Sequence, residues 1–201
     1  MGEHKINGTG RPAVFLDRDG VINRQIIRAG LPYPPATLDE FVFLDGVAEA
    51  CGLLKQAGFL LVVVTNQPDV GRGTQSMEIV EAMHGAMCAA LPIDRVEVCW
   101  DPHDSPQSNR RKPKPGMILD AARALDIDLR RSFMVGDRWR DVDCGHFAGC
   151  TTVFIDYGYD EPLRSAPDLV AVSLLDAARG ILEMAGKRIA ASEREGLCQT
   201  R

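Results

Sequence analysis

Ala13-Val14-Phe15-Leu16 runs straight into Asp17-Arg18-Asp19-Gly20-Val21-Ile22-Asn23, and this abrupt change from apolar to charged constrains the fold more than any other stretch. Such a run reads as a buried strand delivering carboxylates at its own carboxyl end. In an extended chain, residues two apart share a side, so Asp17 and Asp19 are expected to project together. Their repulsion then calls for a cation or a shared proton. Asp-Gly is also a common turn pair, so taken alone the stretch leaves a plain turn open.

The remainder of the chain repeats the pattern. Phe59-Leu60-Leu61-Val62-Val63-Val64 is a continuous, β-branched run ending in Thr65-Asn66-Gln67, and Ser132 to Val135 ends in Gly136-Asp137. Arg95 to Trp100, Thr151 to Ile155 and Leu169 to Val172 read as further strands. Between them, apolar spacing predicts helices over Gly46 to Gln56 (Val47, Ala50, Leu53, Leu54), from Thr74 or Ser76 to Leu91, and after Pro115 (Met117, Ile118, Ala121, Leu125). A last helix opens at Ser173 with Asp176 as a capping box and ends near Ala185. Strands alternating with helices specify an α/β class with a doubly wound, mainly parallel Rossmann-like sheet. Ligands in such sheets bind beyond the carboxyl ends of the strands. Asp17, Asp19, Thr65, Asn66 and Asp137 all fall there, which a turn-only account does not explain.

The chain's 201 residues, 45% apolar and 25% charged, suffice for one domain, set at 1–185, with a polar, frayed tail at 186–201. No run approaches the roughly 18 to 20 apolar residues of a membrane span, and the polar start from Met1 to Arg11 lacks the apolar core of a secretory signal. A cytoplasmic location with no membrane partner follows as the expectation. A net charge of −5 argues against a nucleic-acid partner. The six cysteines are scattered without a Cys-x-x-Cys pair, which suits reduced, buried thiols. Residues 21–44 are Pro-rich and show no period, so they read as a loop or short flap above the strand tip. Arg110-Arg111-Lys112-x-Lys114 is a local basic cluster, either a solvated loop or an anion site. His4, His84, His103 and His146 show no partner pattern and read as satisfied or solvent-facing.

Asp17-x-Asp19-Gly-x-x-Asn23, Thr65-Asn66-Gln67, Lys112-Pro-x-Pro and Gly136-Asp137-x-x-x-Asp141 resemble the four ordered motifs of the haloacid dehalogenase-like phosphatases, over roughly residues 13–155. The DRDGVIN start, TNQ with Gly71-Arg72-Gly73 after it, and RKPKPGM resemble the small branch that includes heptose-1,7-bisphosphate 7-phosphatases and histidinol-phosphate phosphatases. The resemblance implies a Mg²⁺-dependent phosphomonoesterase acting on a small phosphorylated metabolite. Asp17 would attack phosphorus to form an aspartyl-phosphate, and Asp19 would protonate the leaving alkoxide and then deprotonate water. The Asp17 and Asp137 carboxylates and the Asp19 backbone carbonyl would hold the metal, with Asp141 orienting it from behind. Thr65, Asn66 and Lys112 would hold the phosphoryl oxygens, while Asn66, Gln67 and Arg111 are assigned to substrate. The plainer readings stay beside these: Thr65 as a helix cap, Lys112 as a solvated cation, Arg111 as a surface arginine.

Relatives in this branch often carry a structural zinc held by Cys-x-His and Cys-x-Cys before Arg-Lys-Pro. Here His103 stands four residues after Cys99, and Ser108 and Arg110 replace the second cysteine pair. Two ligands do not close a tetrahedral site, so no structural zinc is expected. No insertion is long enough for a large cap domain. Specificity is left to the two loops at 21–44 and 101–114, or to a partner subunit closing over the site. Arg110 and Trp139 are further candidates for contact with substrate. Two other readings are histidinol phosphate as substrate and a non-enzymatic module that accepts or binds phosphate on the same fold.

Overall fold

The computed structural model describes residues 10–28, 31–103 and 108–198. His4 and the last three residues of the tail lie outside them. In chain order the elements are β1 (Ala13–Leu16), β2 (Ile26–Arg28), β3 (Leu31–Tyr33), α1 (Val47–Gln56), β4 (Leu60–Asn66) and the one-turn α2 (Pro68–Gly71). There follow α3 (Met77–Ala90), β5 (Arg95–Cys99), α4 (Gly116–Leu125), β6 (Phe133–Gly136), α5 (Trp139–Ala148), β7 (Thr151–Ile155), β8 (Leu169–Ala171) and α6 (Leu174–Cys198).

Six strands make one sheet in the order β5-β4-β1-β6-β7-β8, and every pairing in it is parallel. The period of two along β1 sorts its side chains between two cores. Val14 and Leu16 pack with Leu61, Val63, Phe133 and Val135 against Val47, Ala50 and Leu54 of α1, Met87 of α3, and Leu174, Ala177 and Ile181 of α6. Ala13 and Phe15 pack with Val62, Val64 and Met134 against Met117, Ile118 and Ala121 of α4 and Cys144 and Ala148 of α5. At ~1.5–3 kcal/mol per fully buried large side chain, these layers carry the stability that lets charged groups be buried at one end of the sheet. From β1 the chain winds outward through β4 to β5, then crosses back to β6. The order therefore reverses between β1 and β6, which places the ligand crevice above that pair.

Two expectations need correction. The segment after β1 is not wholly irregular: β2 and β3 pair as an antiparallel ribbon, Ile26 opposite Tyr33. Pro32 tolerates this because a two-stranded ribbon leaves edge positions that need no N–H donor. The last helix does not stop near Ala185 but continues to Cys198. Residues 186–198 contain no proline, so the helix meets no breaker of that kind before Cys198. Ser173 does open this helix, its Oγ accepting from the Asp176 N–H at 3.1 Å.

Candidate active site

The carboxyl ends of β1, β4 and β6 converge on a cleft of about 320 Å³ lined among others by Asp17, Asp19, Gln25, Asn66, Arg111, Lys112, Arg138 and Asp141. The Asp17 N–H donates to the Val135 carbonyl at 3.0 Å, so the ladder between β1 and β6 continues up to the first acid. The Asp17 Oδ1 accepts from the Arg18 N–H at 2.7 Å and lies 2.8 Å from the Lys112 Nζ, which is also 2.7 Å from the Asp141 Oδ1. Lys112 is thus a buried bridge rather than a solvated cation. Its loop is fixed by Asn66, whose Nδ2 donates to the Lys112 carbonyl at 3.2 Å and whose Oδ1 accepts from the Lys112 N–H at 3.1 Å.

Carboxylate oxygens of Asp17, Asp137 and Asp141 all lie within 4.8 Å of one another. Burial is the largest influence on Asp17, and with the charge of Asp141 it overcomes the pull of Lys112, lifting the carboxyl to about 7. Burial, then the charges of Asp141 and Asp17, also push Asp137 well above the ordinary carboxylate range. Burial works against the Lys112 ammonium, yet Asp141 and Asp17 outweigh it and hold the lysine above its usual value. Three acids with one lysine leave negative charge uncompensated. The Asp137 Oδ1 is buried and finds no hydrogen-bond partner among the described residues. Such a cluster of buried carboxylate oxygens has the chemistry of a site for a hard divalent cation, although a nitrogen of Gln25 also donates to the Asp19 carbonyl and the Asp137 Oδ2. Asp141 is otherwise engaged: one oxygen meets Lys112 and the other accepts from the Arg138 N–H at 3.1 Å.

The second acid sits in a different environment. Arg18, Asn23 and Gln67 all donate to the Asp19 carboxylate. Burial opposes its charge, but Arg18 and these hydrogen bonds prevail and hold the carboxyl below its ordinary value. Two glycines make the close approach possible. A Cβ on Gly20, whose φ of 91° already favours glycine, would stand 2.3 Å from the Asp137 Oδ2, and one on Gly136 would stand 2.0 Å from the Asp141 Cβ.

Asp17, Asp19, Asn66, Arg111, Lys112 and Asp137 are brought together as the sequence suggests, Arg111 donating from Nη1 to the Asp101 carbonyl at 2.8 Å. Four residues take other places. Gln67 is buried and supports the cleft from behind, donating to the Asp19 Oδ2 at 2.8 Å and the Thr65 Oγ1 at 2.9 Å. Thr65 is 1% exposed and lies beneath the cleft floor. Arg110 forms ion pairs with Glu97 and Asp120, because residues 97 and 120 bring carboxylates to the back of its loop. Trp139 is nearly buried, with the guanidinium groups of Arg140 at 4.6 Å and Arg164 at 3.4 Å from its ring centroid, and is not among the residues that line the cleft. Conversely, sequence reading missed Gln25, Arg138, Arg140 and Tyr159. Gln25 sits in a segment without a period, and its role appears only when β1 and β6 are side by side.

A family model described as HAD-hydrolase-like matches residues 109–177, the span holding Lys112, Asp137 and Asp141. Over 186 residues the chain is 37% identical to the D-glycero-beta-D-manno-heptose-1,7-bisphosphate 7-phosphatase of Photorhabdus laumondii, covering 86% of this chain and 96% of that protein. The chain belongs to the haloacid dehalogenase-like phosphatases. Another relative is the D-glycero-alpha-D-manno-heptose-1,7-bisphosphate 7-phosphatase of Burkholderia mallei, 40% identical over 154 residues, 71% of this chain and 78% of that one. The crystal structure of D,D-heptose 1,7-bisphosphate phosphatase from B. bronchiseptica, complexed with magnesium and phosphate, superposes with a TM-score of 0.74 at 30% identity, over 87% of this phosphatase and 99% of that chain. No helix among the described residues of this phosphatase is long and apolar enough to cross a membrane.

Proposed function

We propose that this phosphatase hydrolyses one ester of a heptose bisphosphate, with Asp17 as nucleophile, Asp19 as proton carrier and Mg²⁺ as cofactor. The observation that carries the reading is the Lys112 Nζ set between Asp17 and Asp141 at 2.8 and 2.7 Å, beside a second buried acid, Asp137. Named relatives supply the substrate class, and they do not favour histidinol phosphate or a non-enzymatic module.

When bound by Asp17, Asp137 and the Asp19 carbonyl, Mg²⁺ would neutralise acids and phosphate together. Asp17 attacks phosphorus, the bond from phosphorus to the sugar oxygen breaks, and a proton from Asp19 goes to that oxygen, leaving aspartyl-phosphate. Asp19, now a carboxylate, takes a proton from water as the water oxygen attacks the same phosphorus and the bond to Asp17 breaks. Lys112 and the Asn66 amide support the growing charge on the phosphoryl oxygens, Asn66 also by holding Lys112 in register. Arg111 on the cleft wall suits a second anionic group as a bidentate partner.

The test is phosphate release from both anomers of the heptose 1,7-bisphosphate, histidinol phosphate and an aryl phosphate, with Mg²⁺ and with EDTA. Turnover of a heptose bisphosphate above the others, lost with EDTA and lost at least about a thousandfold in Asp17→Asn, is the expected result. Arg111→Ala should raise KM for the bisphosphate roughly ten- to a hundredfold and leave a monophosphate nearly unchanged. Preference for histidinol phosphate would overturn the substrate assignment, and full activity of Asp17→Asn would overturn the mechanism.

A further inference from the structure

Gln25 belongs to the segment between β1 and β2 and reaches into the cleft, where one nitrogen serves two acceptors. Its Nε2 donates to the Asp19 carbonyl at 3.0 Å and to the Asp137 Oδ2 at 3.0 Å. On its other side the Oε1 accepts from the Tyr159 hydroxyl at 2.7 Å, which fixes the sense of the amide: nitrogen toward the acids, oxygen toward the tyrosine. The Tyr159 ring lies 5.9 Å from the Arg138 guanidinium and 5.7 Å from the Tyr157 ring, so the hydroxyl is held from a packed support.

We propose that Gln25 is a placeholder for the divalent cation, an amide that competes with the ion for the Asp19 carbonyl and the Asp137 carboxylate and is kept in place by Tyr159. The proposal rests on the metal-site reading given above. A Mg²⁺ ion sits roughly 2.1 Å from its oxygen ligands. An ion drawing on both of these oxygens would face the partly positive hydrogens of Nε2, and the two occupants repel. The amide gives these acceptors donor partners of its own, without a full charge. Ion binding then requires Gln25 to let go, and the apparent affinity falls by the fraction of molecules in which it has already done so. Because Gln25 is tied to Tyr159, occupancy of the metal site is also reported to the loop that follows β7.

This differs in sign from a plain supporting role. If Gln25 merely shaped the site, removing it would loosen the acids and weaken metal binding. As a competitor, its removal tightens it. Mg²⁺ binding measured by calorimetry on the whole protein at fixed pH should strengthen about three- to tenfold in Gln25→Ala, as for release of one or two hydrogen bonds, and by a smaller factor in Tyr159→Phe. In the wild-type protein, the Gln25 side-chain amide resonances should move as Mg²⁺ saturates the site. Weaker or unchanged Mg²⁺ binding in a folded Gln25→Ala, or amide resonances that stay put at saturation, would overturn the proposal while leaving the metal site standing. No Mg²⁺ binding by wild type or variants would overturn the metal site and the proposal with it.

Discussion

The Arg18 Nη2 lies 2.9 Å from both carboxylate oxygens of Asp19, its own neighbour in the chain, and Nε adds a contact at 3.2 Å. The guanidinium is wholly buried, with the His84 Nε2 3.2 Å from Nη1 and the Phe41 ring 5.7 Å away. Removing one member of a buried ion pair leaves the other uncompensated, at about 3–5 kcal/mol. Arg18→Met should lower the unfolding free energy in urea by that amount. Arg18→Lys should recover only part of it, since an ammonium cannot form the fork.

The same donor set opposes protonation of Asp19, which matters when the leaving group needs a proton. In single-turnover phosphorylation, Asp19→Asn should slow alkyl phosphates by roughly 10²–10⁴ and aryl phosphates far less, because an aryl oxide departs without help. Equal losses for both would count against Asp19 as the proton donor.

Gly136 ends β6 with the Asp141 side chain against its missing Cβ. Gly136→Ala should cost about 1–3 kcal/mol by overpacking and, by moving Asp141 off Lys112, lower kcat about tenfold or more. Gly52 in α1 is the contrast, since a Cβ there meets nothing within 4 Å. Gly52→Ala should stabilise by about 0.5–1 kcal/mol, as alanine in place of glycine in a helix does, without a kinetic effect.

His84 gives a pH signature separate from catalysis. Its Nε2 faces an arginine donor, and burial, reinforced by the Arg18 charge, lowers its pKa from 6.5 to about 4. Between those values the unfolded chain binds a proton that the folded protein refuses. The contribution of His84 to stability therefore falls as pH drops from about 6.5 toward 4, levels off below, and does not change above, while the raised Asp17 carboxyl acts in the opposite sense over the same range. His84→Gln keeps an acceptor for Arg18 and cannot titrate, so between pH 6.5 and 4 the wild type should lose roughly 3 kcal/mol relative to this variant in matched denaturation curves.

Metal analysis of protein prepared without chelators should find well under one zinc per chain. Cys99 is buried, its thiol raised chiefly by burial, and Arg110, in the same loop as His103, is committed to Glu97 and Asp120. Stoichiometric zinc lost on Cys99→Ser would show that this loop still holds the metal.

What the sequence alone determined was the sheet and the acids at its edge. Apolar runs ending in Asp17, Thr65 and Asp137 are local patterns, and a buried parallel strand can deliver polar groups only at its ends. The tertiary structure decided which of those polar groups face the cleft. Asn66 and Gln67 are adjacent in the chain, yet Asn66 clamps the Lys112 loop while Gln67 turns inward to Asp19, because successive side chains leave a strand on opposite faces. Gln25 carried no signal at all. Its two acceptors come from residues 19 and 137, and only the crossover that sets β6 beside β1 brings them within reach of one amide.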